Sequence, residues 1–167
     1  TIAQHSAIIA NNHYFTLGLL HEIGHAAMYL KSPEICMQIV EEIVAHDISI
    51  AELERERFGF DYTQLSVELM ELWHLPKTYQ QSAAHHLRPD RADDQFRLEV
   101  EIIHLAHSIC QNQLEGAHQK LISAMIENNH QLNQLPADIE RMVLEEIDTH
   151  TESVLSTLWP GAASMIT

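Results

Sequence analysis

The chain has 167 residues, 46% of them hydrophobic, which suits one domain with a substantial core and leaves little room for a second. Nine Lys and Arg against 24 Asp and Glu give a formal charge of -15, which repels phosphate backbones and anionic lipid and argues against nucleic-acid and membrane-surface roles. No apolar run approaches the roughly 18 residues that a membrane helix needs, no signal-peptide pattern is visible, and Cys36 and Cys110 lack Cys-x-x-Cys spacing. The expectation is therefore a cytoplasmic protein with reduced, packed thiols. The sequence opens on Thr1 rather than Met, as a piece cut from a longer chain would.

In chain order, Ile2, Ala3, Ile8, Ile9 and Ala10 predict a short helix over 1–12 that carries His5. Leu17, Leu20, Ile23, Ala27 and Leu30 recur at helical spacing and predict one buried helix over 14–30, with a polar cluster, His21-Glu22-Ile23-Gly24-His25, near its middle. Ser32-Pro33-Glu34 is a start signal: a capping serine, proline at the first helical position and an acid in the first turn. It opens a helix over 33–46 that buries Ile35, Ile39, Val40 and Ile43. Ser49 caps the next, over 50–58, where Glu52, Glu54 and Glu56 read as a solvated face and Gly59 as the stop. Asp61 caps a helix that runs to Leu72 with Leu65, Leu69 and Leu72 as its core stripe.

Trp73-His74-Leu75-Pro76 breaks the pattern, because the residue before proline avoids helical dihedrals. A helix resumes over 77–86 and ends in His85-His86. A polar loop then leads to a long helix over 95–113, with Val100, Ile103, Leu105, Ala106, Ile109 and Cys110 as its core and His104 and His107 looking inward. Gly116 marks a turn, and two more helices are expected over 117–127 and 136–158, the latter opened by Pro136. No alternating strand pattern is present, so the fold class is all-α.

Histidine is the outlying residue type, at 13, and only some histidines have chemistry-bearing neighbours. His21-Glu22-x-x-His25 matches a zinc-protease motif, in which two histidines four apart on one helical face hold Zn²⁺ and the glutamate acts as base. The longer form of that motif needs glycine where Met28 stands and histidine where Lys31 stands, and no substrate-aligning strand is in sight, so the protease is the weaker reading. The other reading is a His-Glu doublet that shares a metal with histidines from other helices. A third needs no metal at all: buried histidines hydrogen-bonded to one another and to Glu22.

Leu19-Leu20-His21-Glu22-Ile23-Gly24, Gly59-Phe60-Asp61-Tyr62, Trp73-His74-Leu75-Pro76, His85-His86 and Leu105-Ala106-His107 together, in this order and spacing, resemble the HDOD family of bacterial signalling domains. That family looks like catalytically decayed relatives of the HD metal-dependent phosphohydrolases. The resemblance runs from His5 to Cys110, and 114–167 matches nothing familiar. It implies a degenerate metal site at His5, His21, Glu22, His85, His86 and His107, in which Glu22 stands for aspartate, Tyr62 for histidine and His107 for a last aspartate.

The resulting expectation is an HD-like helical core over 1–113 with C-terminal helices over 114–167 packed on it. The function it implies is non-catalytic signalling through protein partners or a covalently linked regulatory domain, with homo-oligomerisation left open. No catalytic residue is assigned, and the cofactor is none or one divalent metal among Mn, Mg, Fe and Zn. The alternative is an HD-type phosphohydrolase acting on a nucleotide or phosphate ester, against which stands the shortage of basic residues near the site, Arg88 and Arg91 alone.

Overall fold

In the computed structural model, residues 13–46, 48–110, 141–142 and 145 are described, without the side chains of 44–46. The helices expected over 1–12 and 117–127 lie outside these residues, as does most of that over 136–158. By backbone proximity the chain divides into two units, one of Asn11–His104 and one of Thr1–Ala10 with Leu105–Thr167. Every described element is helical: α1 His13–Leu20, α2 Ile23–Lys31, α3 Pro33–His46, α4 Ile50–Phe58, α5 Tyr62–Leu72, α6 Lys77–His85 and α7 Arg97–Cys110, with 3₁₀ turns at Pro89–Arg91 and Asp94–Phe96. No described helix is long and apolar enough to cross a membrane.

Local chemistry sets most of these bounds. Gly59 ends α4 in the left-handed region at φ 83°, where its amide donates to the Arg55 carbonyl. Asp61 then opens α5 with a complete capping box: its carboxylate accepts from the Thr63 and Gln64 amides, and the Gln64 side chain accepts from the Asp61 amide. The far end of α5 closes in a Schellman motif. The Leu75 amide donates to the Met70 carbonyl and the His74 amide to the Glu71 carbonyl, which places His74 at φ 55° without glycine's freedom.

In the Asn11–His104 unit, α5 packs between α2 and α6, α3 joins α2 to α4, and α1 lies on α6. Met28, Cys36, Ala51 and Tyr62 form a buried cluster, flanked by Ile50, Phe58 and Leu65. Val100, Ile102 and Ile103 are buried along the part of α7 that belongs to this unit. In the other unit, Leu105, Ser108 and Ile109 are buried, and Arg141 and Glu145 form an exposed i,i+4 pair at 2.8 Å.

The expected single helix over 14–30 is instead two. The chain leaves helical geometry at Glu22, whose backbone lies at φ -114° and ψ 22°, so α1 and α2 meet at a turn made of His21 and Glu22. The break changes the phase of the second half: Gly24 and Met28, four apart, face the interior, while Leu30 is 83% exposed. Three further corrections have the same kind of cause. Leu72 is 71% exposed because α5 turns Tyr62, Ser66 and Met70 inward. Glu54 is buried because it shares the stripe of Ala51 and Phe58, whereas Glu52 and Glu56 fall outside it. Cys36 is buried as expected, but Cys110 is exposed at the end of α7.

Candidate functional site

Gly24 decides how closely the doublet approaches α5. Its amide donates to Ser66 Oγ at 2.9 Å, and that hydroxyl in turn donates to the Tyr62 carbonyl at 2.8 Å. A Cβ on Gly24 would stand 2.1 Å from the Tyr62 carbonyl oxygen, so only glycine permits this crossing. The contact holds the His21–Glu22 turn against the first turn of α5 and, across it, the end of α6.

His21 has its Nδ1 2.7 Å from the Gly18 carbonyl, an acceptor only, so Nδ1 carries the proton and Nε2 presents a lone pair. That Nε2 lies 4.0 Å from Glu22 Oε2. His86, fully buried, ends α6, and its Nδ1 sits 3.0 Å from the Ala83 carbonyl and 3.2 Å from that of Ser82. The same logic places the proton on Nδ1 and makes Nε2 the acceptor and the only nitrogen able to ligate. The His21 and His86 rings meet edge to face with centroids 5.0 Å apart. His104 Nδ1 donates to the His86 carbonyl at 2.6 Å and fixes the backbone from behind.

Ligand atoms of His21, Glu22 and His86 lie within 4.8 Å of one another. Two imidazoles and a carboxylate are donors suited to Zn²⁺, Fe²⁺ or Mn²⁺. These three residues would hold such an ion, which would act there as a Lewis acid. One contact stands in the way. The Tyr62 hydroxyl donates to His86 Nε2 at 2.9 Å. Burial first, and then the charges of Glu22, Glu54 and Asp61, hold the Tyr62 phenol far above its usual 10.0, so it remains a donor.

The remaining sequence candidates are His85, His107, His5 and, from the protease motif, His25. His85 is half-buried at the end of α6 and outside this group, His107 is half-buried on α7 in the other unit, and His5 lies outside the described residues. His25 is separated from His21 by the break. Its ring stacks on Tyr62, with centroids 3.8 Å apart and planes at 22°, and its Nε2 lies 3.1 Å from Glu54 Oε1, off the hydrogen-bond line. Glu54 Oε2 accepts from the Tyr62 amide at 2.8 Å. Sequence reasoning missed Glu54, and it put Tyr62 at a ligand position of the site without foreseeing that its hydroxyl meets His86. The position of Glu54 on the apolar stripe of α4 was the available signal.

An all-α domain that sets a helix-break His-Glu doublet against a histidine at the end of a neighbouring helix is the arrangement that the family resemblance leads one to expect. The chain is a member of the HDOD family: the family model for the HDOD domain matches residues 1–89. The fold agrees with the crystal structure of an HDOD domain protein with unknown function from Geobacter sulfurreducens, at a TM-score of 0.67 and 15% identity over 92% of this chain. The match spans 55% of that longer chain. A comparison with curated proteins finds no match.

Proposed function

We propose that this chain is a non-catalytic signal-transduction module that acts by contacting other proteins or a linked regulatory domain. The composition of the donor group supports this reading. Of His21, Glu22 and His86, only Glu22 is anionic. Two-metal phosphohydrolysis needs several carboxylates to hold both cations and the hydroxide between them, and one carboxylate with neutral imidazoles falls short of that charge. The resemblance puts neutral His107 where an HD enzyme has its last aspartate, which lowers the anionic charge further. Phe15 and Leu19, one turn apart on α1, are exposed and offer apolar surface for a protein contact.

The test is hydrolysis of a chromogenic phosphodiester and of nucleotides by protein purified without an affinity tag, with Mn²⁺, Mg²⁺, Fe²⁺ or Zn²⁺ added in turn. The expected result is no turnover above buffer. The second reading, a metal-dependent phosphohydrolase, is favoured by the convergence of three ligand atoms within 4.8 Å. Metal-stimulated hydrolysis that disappears in His21→Ala would establish it and overturn the first.

A further inference from the structure

We infer that the Tyr62 hydroxyl keeps His86 from ligating a metal ion in the histidine cluster by occupying the one lone pair that a cation would need. The inference rests on the reading of the cluster as a modified metal site and names the group that modifies it. A neutral imidazole has a single in-plane lone pair, and with Nδ1 committed to the Ala83 and Ser82 carbonyls that pair is on Nε2. It can serve the hydroxyl or a cation, not both. The Tyr62 oxygen stands 2.9 Å from Nε2, where an ion at about 2.1 Å would collide with it.

Tyr62 has no easy way to withdraw. The side chain is 1% exposed and its ring is stacked on His25. Its amide is held by Glu54, and its carbonyl accepts from Ser66 and abuts Gly24. The oxygen is thus fixed by contacts on both faces of the residue, and His86 is withdrawn from the possible ligands while it stays there. Tyr62→Phe removes the oxygen and keeps the ring, its stacking and its backbone bonds, so it returns the His86 lone pair to the cluster.

The experiment is a Co²⁺ titration of the full chain without an affinity tag, read by visible absorption, for the parent, Tyr62→Phe and the Tyr62→Phe/His21→Ala double variant. Tyr62→Phe is expected to bind one Co²⁺ roughly tenfold or more tightly than the parent, and the double variant to lose that gain. Equal affinity in parent and Tyr62→Phe overturns the inference, as does a Tyr62→Phe protein that is folded by circular dichroism yet no better a binder. Should Tyr62→Phe fail to fold, ¹⁵N-histidine NMR of the parent decides. An Nε2 signal of His86 unmoved by one equivalent of Zn²⁺ supports the block, and a shift to the metal-bound range refutes it. Hydrolysis by a parent whose His86 nitrogen stays unmoved would defeat only the non-catalytic reading, whereas an inert parent that binds Co²⁺ as well as Tyr62→Phe would defeat only the inference.

Discussion

Gly24→Ala tests the crossing on which the site depends. The added Cβ would lie 2.1 Å from the Tyr62 carbonyl oxygen, 2.9 Å from Ser66 Oγ and 3.0 Å from the Ser66 amide. The nearest of these is backbone and cannot rotate away, so α2 and α5 must separate by about 1.3 Å to reach ordinary contact. Separation of this size costs about 1–3 kcal/mol as overpacking, and it also stretches the buried Gly24–Ser66 hydrogen bond, worth about 1–3 kcal/mol if its partners are left unmet. Alanine's advantage over glycine near a helix start returns about 0.5–1 kcal/mol. The net expectation is a loss of about 2–4 kcal/mol, which for a chain of this size lowers the melting temperature by roughly 5–15 °C. Gly18→Ala is the matched control. Nothing lies within 4 Å of its Cβ position, so it should gain about 0.5–1 kcal/mol. Urea melts followed by circular dichroism at 222 nm give both values. A Gly24→Ala protein as stable as its parent would refute the close approach of α2 to α5.

Ser66→Ala removes the hydroxyl that joins the Gly24 amide to the Tyr62 carbonyl in a fully buried setting, and should cost about 1–3 kcal/mol in the same melts. His74→Gly should raise stability by about 1 kcal/mol, because glycine occupies the left-handed region at φ 55° without Cβ strain; a loss would mean that the histidine side chain has a role of its own. Asp61→Ala should cost about 1–2 kcal/mol by removing the α5 cap. The pH dependence has a definite sign. Burial alone would raise the Asp61 carboxyl, but the hydrogen bonds from Thr63, Gln64 and Arg55 outweigh it and hold it below its ordinary 3.8. Because the unfolded chain then binds the proton more readily, the Asp61 contribution is fully present above about pH 4 and is lost as pH falls through the lower folded value. Asp61→Asn should flatten that acid limb of the stability curve, and an unchanged limb would assign it to other carboxylates.

The helix bounds were legible in the sequence wherever a local rule governs them. Pro33, Gly59, Asp61, and the break before Pro76 act on their own backbone within a turn, so the 33–46 and 50–58 helices and the Asp61 cap needed no knowledge of neighbours. The series of short motifs pointed to the family, because each fragment keeps its order along the chain whatever its surroundings. Tertiary packing decided the rest. The apolar spacing of 14–30 reads as one helix, yet the chain breaks at His21–Glu22, where α2 meets α5 at Gly24 with a contact 42 residues away in sequence. Glu54 looks solvated beside two other acids until α4 packs and leaves it facing His25 and the Tyr62 amide. Tyr62 and His86 are 24 residues apart, and nothing in either neighbourhood announces that one hydroxyl meets one ring nitrogen. Periodicity reports which side of a helix is apolar, but the partner of a buried polar atom is chosen by whichever element closes over it, and that is a property of the packed chain alone.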